Sequence, residues 1–258
     1  MNAVGQRPAV LAINGLTKRF GGLLAVDDVS ISIGDRTIHS IIGPNGAGKT
    51  TLFNLITGAI TPDAGAVDFE GRTVTAFAPH RLVSLGLVRT FQRTSVFGSM
   101  RAIDNVMLAI GARRKLGAAL RLSTATRVEF RSEALGILDS VGLADSHATP
   151  AAALSHGNQR ALDLAIGVAL RPKVMMMDEP LAGMAQGDRE RIALLILALR
   201  DQHGLGVVIV EHDIGMVMRL SDRITVLQNG KVLADGTPQA VRDDAAVKHA
   251  YLNGAFAT

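Results

Sequence analysis

Three short stretches carry residue types that do chemistry. The first is Gly43-Pro44-Asn45-Gly46-Ala47-Gly48-Lys49-Thr50-Thr51, which fits the pattern G-x-x-x-x-G-K-[ST] of a phosphate-binding loop. Its glycines let consecutive backbone N–H groups curl into a concave nest that a β-carbon would obstruct. Lys49 is placed to neutralise β- and γ-phosphates, and the Thr50 hydroxyl to hold Mg²⁺. The second stretch is the apolar run Val174-Met175-Met176-Met177, ending in the paired carboxylates Asp178-Glu179. Asp178 suits a water-mediated Mg²⁺ contact, and Glu179, one residue on, suits a general base. The methionines read as core packing. The third is the apolar run 207–210 followed by Glu211-His212-Asp213. A histidine at the end of a core strand is within reach of a γ-phosphate and of an attacking water. Gln92 also follows a short apolar run, and its amide suits contact with Mg²⁺ and water.

These groups need strands that end at a common rim. Residues 38–42 read as a buried strand before the phosphate loop, and Leu52, Leu55 and Ile56 recur at helical spacing after it, with Gly58 closing the helix. Residues 10–13 read as a first strand and 18–22 as a turn. Val29, Ile31 and Ile33 alternate with Ser30 and Ser32, as do Val67 and Phe69 with their neighbours, so the N-terminal third reads as an antiparallel β layer. Residues 87–90 form another short strand. Helices are expected over 103–110 and 128–141, with Arg113, Arg114, Lys115, Arg121, Arg127 and Arg131 between and upon them. That basic cluster is read as a solvated surface in preference to a face for anionic lipid or an acidic partner. Beyond Ser155, helices over 158–170 and 189–200 alternate with strands over 173–177, 205–210 and 224–227, which implies a mostly parallel sheet. Ser155 is a natural N-cap, and Ser155, Gly157 and the helix dipole together make an anion site.

Composition sets outer bounds. The chain has 258 residues, 48% of them hydrophobic and 19% charged, with a net charge of +4. Its length suits one α/β domain with a modest subdomain. The charge is too mild to argue for a nucleic-acid partner, and none is expected. The absence of cysteine excludes disulfides and thiolate metal sites. No long apolar h-region opens the chain, so no secretory signal is expected. The longest apolar run, 192–199, is far too short to span a bilayer.

In order, the phosphate loop, Gln92, Leu154-Ser155-His156-Gly157-Asn158-Gln159, Asp178-Glu179 and His212 resemble the ATP-binding cassette ATPases, over nearly the whole chain. The resemblance implies an α/β fold: a P-loop NTPase core with a mostly parallel sheet, an antiparallel β subdomain and an inserted α-helical subdomain. It implies one cassette domain over 1–258, divided into 1–91, 92–157 and 158–258. It further implies that two cassettes sandwich two ATP molecules head to tail, with Ser155 and Gly157 clamping the γ-phosphate bound by the partner. Phe20 matches the aromatic that stacks on adenine. Lys49, Gln92, Glu179 and His212 are then the catalytic group, with Mg²⁺ on Thr50, Gln92 and Asp178.

Arg19-Phe20-Gly21-Gly22-Leu23-Leu24-Ala25-Val26, Arg89-Thr90-Phe91-Gln92 and Ala250-Tyr251-Leu252 look like branched-chain amino acid importer cassettes. Ser155-His156-Gly157 and Ala182-Gly183-Met184 also resemble urea importer cassettes, and lipid or lipopolysaccharide export cassettes are similar. The implied partners are permease subunits, a second cassette and, indirectly, an extracytoplasmic solute-binding protein. The implied place is the cytoplasmic face of the inner membrane. Two residues depart from the family pattern. His156 stands where glycine is usual, and Ala185 stands where an aspartate usually crosses the dimer interface.

Overall fold

The computed structural model describes residues 9–90, 96–115 and 123–251. Gln92, Phe91 and Arg121 lie outside the described residues. The chain opens with a long hairpin, β1 (Ala9–Phe20) and β2 (Leu23–Gly34). The turn is tighter than the expected 18–22. Lys18, Arg19 and Phe20 pair with Val26, Leu24 and Leu23, and only Gly21-Gly22 reverse the chain. Two residues suffice where glycine accepts a positive φ, and Gly21 sits at +55°. The alternation read from the sequence holds: Val29, Ile31 and Ile33 are buried, and Ser30 and Ser32 face out.

β3 (Ile38–Ile42) runs into the phosphate loop and α1 (Lys49–Ile56). Next come β4 (Ala64–Phe69), β5 (Arg72–Thr73), α2 (Pro79–Leu85) and β6 (Leu87–Thr90). A helical layer is then built from α3 (Ala102–Arg113), α4 (Thr124–Ser140) and α5 (His156–Ala169). The remainder alternates: β7 (Val174–Asp178), α6 (Gln186–His203), β8 (Gly206–Val210), α7 (Ile214–Leu220) and β9 (Arg223–Gln228). An edge strand β10 (Lys231–Gly236) and helices α8 (Pro238–Asp243) and α9 (Ala245–Tyr251) close it.

Two sheets result. One is antiparallel, in the order β2-β1-β4-β5; the other has the order β10-β9-β3-β8-β7-β6 and is parallel except at β10. The central strands β3, β7 and β8 are buried throughout, and mostly apolar, because both faces of a parallel sheet are covered. Met175, Met177, Val207 and Ile209 pack with the helical layer, while Val174, Met176, Val208 and Val210 pack with α1 and the antiparallel sheet. The three methionines are core, as their setting in an apolar run suggested.

The register matters most for function. Thr90 pairs with Met177, Asp178 with Val210, and Ile41 with Val210. The carboxyl ends of β6, β7, β8 and β3 are therefore level, and the loops leaving these strands emerge on one rim.

The basic cluster divides. Arg114, Arg127 and Arg131 are exposed, but Arg113 is half-buried and cross-links the helices. Arg113 donates to Glu133 at 3.0 Å and to the Ala169 carbonyl at 2.8 Å, joining α3, α4 and α5. Arg114 donates to Glu129 at 2.7 Å. For Arg113 the expected solvated surface is corrected, because α4 supplies a carboxylate on the facing side. The Arg114–Glu129 pair stays on the exposed surface, as expected.

Candidate nucleotide-binding site

The phosphate loop is moulded by its neighbours. A β-carbon on Gly48, whose φ is +102°, would collide with the Ala25 carbonyl oxygen, and one on Gly43 would collide with that of Leu227. These two glycines let β2 and the end of β9 press against the loop. Gly230 fastens the contact from outside: its amide donates to Ala47 O at 3.0 Å, and its carbonyl accepts from Asp27 N at 2.9 Å. The loop is thus tied to the hairpin that carries Phe20.

Phe20 is 49% exposed, with the Lys18 ammonium 5.6 Å from the ring centroid. A half-open ring suits stacking on a flat base. Pro44, Asn45, Gly46, Thr50 and Thr51 lie in the loop or at the start of α1, with Thr50 and Thr51 in its first turn.

Lys49 donates to the carbonyls of Gly43 at 2.6 Å and Pro44 at 3.0 Å, so its ammonium is held over the mouth of its own loop. Burial lowers its pKa from the ordinary lysine value, while Glu179 and Asp178 act in the opposite direction. Amide nest, cation and open aromatic ring fit a nucleoside polyphosphate.

Asp178 ends β7, buried. Desolvation raises its pKa above the usual carboxylate value; Arg89, 3.8 Å away, pulls it down, and Glu179 adds to the rise. A carboxyl in that setting gains from any further cation placed beside it. Glu179 stands at φ +47°, a left-handed conformation uncommon for a residue with a β-carbon. Its amide donates to Val210 O at 2.8 Å. His212 Nδ1 lies 3.6 Å from Glu179 Oε1, and the imidazole is 65% exposed toward the rim. Level strand ends thus bring Lys49, Asp178, Glu179 and His212 into one neighbourhood. Gln92 comes after β6 in the chain but lies outside the described residues.

Ser155 caps α5, accepting from Asn158 N at 3.3 Å, and both His156 and Ser155 are exposed. Gly157 has a further reason to be glycine: a β-carbon there would crowd Asp188 and Arg191 of α6. Ala185 is the N-cap of α6 and offers no side-chain cap. The sequence reading missed Arg89 as a neighbour of Asp178, and it missed Arg160 and Glu211. Arg160 donates to Pro180 O at 2.9 Å, and Glu211 accepts from Leu181 N at 3.0 Å. No periodicity marks a buried charge. The one available signal was the Glu211-His212 pairing at a strand end.

A parallel sheet with a glycine-rich loop at the end of β3, and paired acids at the end of β7, defines a P-loop nucleotide-binding ATPase. The model of the family described as "ABC transporter" matches residues 26–182. The chain is 38% identical over 256 residues to the high-affinity branched-chain amino acid transport ATP-binding protein BraF of Pseudomonas aeruginosa, covering 95% of this chain and 98% of the relative. It is 39% identical over 251 residues to LivG of Salmonella typhimurium, a protein of the same description, with coverage of 95% and 98%. The lipopolysaccharide export system ATP-binding protein LptB of Acidithiobacillus ferridurans is 34% identical over 247 residues, with coverage of 96% and 98%. The ADP conformation of MJ1267, an ATP-binding cassette of an ABC transporter, superposes with a TM-score of 0.84 at 30% identity, covering 95% of this chain and 99% of that one. The chain belongs to the ABC transporter family and is one of its ATP-binding, ATP-hydrolysing cassettes. Among the described residues no helix is long and apolar enough to cross a membrane.

Proposed function

We propose that this cassette drives an importer for branched-chain amino acids. It would sit peripherally on the cytoplasmic face of the inner membrane, beneath permease subunits supplied by an extracytoplasmic solute-binding protein. The observation that carries the reading is the level register of β3, β6, β7 and β8, which gathers Lys49, Asp178, Glu179 and His212 at one rim. The specific solute class is supported by the 38–39% identity to BraF and LivG over 95% of the chain. The 34% identity to LptB is the weaker support, and lipopolysaccharide export is the outcome to be tested against.

In this reading the residues divide the work. Gly43 to Thr51 cradle the phosphates of ATP, Lys49 neutralises them, and Phe20 stacks on adenine. The Thr50 hydroxyl, Asp178 and Gln92 would hold Mg²⁺, which would neutralise phosphate charge when bound. Glu179 takes the proton of the attacking water, and His212 holds that water and the γ-phosphate in line. Ser155 and Gly157 clamp the γ-phosphate held by a second cassette, the same chain or a sister. Nucleotide then closes the pair and hydrolysis releases it, moving the permease. Residues 1–91, 92–157 and 158–258 are the corresponding β-and-loop half, helical subdomain and second half of the core.

The test is to purify the membrane complex and measure ATP turnover with the binding protein loaded by candidate solutes, using Lys49→Ala as the inactive control. Acceleration by branched-chain amino acids supports the reading. Acceleration by urea, or turnover dependent on lipopolysaccharide instead, would overturn the solute; full turnover in Lys49→Ala would overturn the site.

A further inference from the structure

Behind the rim lies a set of buried charges that no reacting group explains. Arg160 and Asp163 on α5 are each 3% exposed, and Glu211 at the end of β8 is 2% exposed. Burying ionised groups is expensive, and well-packed apolar residues generally serve stability as well or better. Three such groups therefore ask for a positional explanation.

Their hydrogen bonds supply one. Arg160 is held in α5 by Asp163 at 3.2 Å and donates from Nε to the carbonyl of Pro180 at 2.9 Å. Pro180 is the residue after Glu179. Glu211 spends one oxygen on each of two loops: Oε1 accepts from Leu181 N at 3.0 Å, and Oε2 accepts from His212 N at 3.1 Å. Each backbone atom bound in this way belongs to a loop that carries a proposed reacting side chain. A parallel strut runs outside: Arg191 of α6 donates to Asn158 Oδ1 at 3.0 Å, in the turn that holds Gly157.

We propose that Arg160 and Glu211 are positioning residues. Arg160 links the α5 turn that grips the partner's nucleotide to the loop bearing Glu179, and Glu211 locks that loop to the one bearing His212. The left-handed Glu179 is thereby aimed only when α5 is seated. This rests on the assignment of Glu179 and Ser155 made above and adds an internal route between the two half-sites of one chain. The route bypasses Ala185, which lacks the carboxylate that would otherwise serve there.

The experiment uses the assembled transporter and the variants Glu211→Gln and Arg160→Lys. Glu211→Gln keeps the shape but turns one of the two acceptors into a donor. Arg160→Lys keeps the charge but not the fork that reaches both Asp163 and Pro180. A misplaced reacting group costs up to about a hundredfold, so kcat should fall at least about tenfold in each variant, with the KM for ATP within about twofold of the parent. That split separates positioning from general damage, which would raise KM and lower the melting temperature together.

Either variant retaining kcat within about twofold overturns the proposal, as does a joint loss of kcat, ATP affinity and thermal stability. Should Glu211→Gln not fold, Arg160→Lys is read alone by the same criteria. Glu179→Gln is measured alongside. If it turns over ATP normally, the base assignment has failed; if it is inactive while Glu211→Gln is normal, only the positioning role has failed.

Discussion

Mild acid should loosen the strand that delivers the phosphate loop. His39 lies within β3, 1% exposed, a few residues before the strand gives way to the loop. The Thr225 hydroxyl donates to Asp235 at 3.1 Å and so accepts from His39 Nε2 at 2.7 Å, tying β3 to β9 and β10 through a neutral imidazole. Burial lowers the His39 pKa to about 4; Asp235, 3.9 Å away, offsets part of this, and Arg223 adds to the lowering. The unfolded chain, with an ordinary histidine value of about 6.5, takes up this proton first. Stability from this group is therefore complete above about pH 6.5, falls as pH drops, and levels off below about pH 4. Taking 1.36 kcal/mol per pKa unit, the loss is about 2 kcal/mol by about pH 5 and about 3 kcal/mol in all. Urea unfolding of the parent and of His39→Gln at about pH 7.5 and about pH 5 isolates this contribution, because the other titrating groups are common to both. The parent should lose about 2 kcal/mol more than the variant over that interval. Equal losses in the two proteins would refute the claim that His39 is held neutral.

The site yields three further expected outcomes. Glu179→Gln should lower ATP turnover by about 10²–10⁴-fold while preserving nucleotide affinity, and should accumulate an ATP-bound dimer on gel filtration; turnover at the parent rate would remove Glu179 as the base. Ser155→Arg should cut dimer-dependent turnover by at least about a hundredfold, yet the isolated chain should still bind a fluorescent ATP analogue, since Ser155 is assigned to the partner's nucleotide; loss of that binding would contradict the assignment. Ala185→Asp places a capping side chain at the start of α6, where none is present, and should stabilise the fold by about 0.5–2 kcal/mol. Thermal unfolding should register this as a rise of a few degrees, and an unchanged or lower melting temperature would show that the cap cannot form.

Legible and hidden features of this chain divide along one physical line. β3 and β6 were legible to the residue, and β7 and β8 nearly so, because each is a short, β-branched-rich or apolar-rich run, almost wholly buried, between polar or glycine breaks. β10 escaped notice because an edge strand with a half-exposed face has no such contrast. The polar end of β1 read as a turn because Thr17, Lys18 and Arg19 look like loop residues until their pairing with β2 is known. The Lys49, Asp178 and Glu179 chemistry was legible because each group stands next to a local signal, a glycine-rich loop or a strand end. Arg160 and Glu211 were not, since their meaning lies in backbone atoms 20 and 30 residues away.

Glu179 shows why such distant partners are required. A carboxylate residue at φ +47° costs on the order of 1–3 kcal/mol and persists only where its surroundings over-determine it. Three of the neighbouring backbone groups are fixed from outside the loop: Glu179 N by Val210 O, Pro180 O by Arg160, and Leu181 N by Glu211. Remove one of these and the backbone is free to relax toward an ordinary conformation, carrying the carboxylate off the rim without changing the phosphate loop. Turnover would then fall while ATP affinity held, and that is how loss of a positioning contact differs from loss of Lys49.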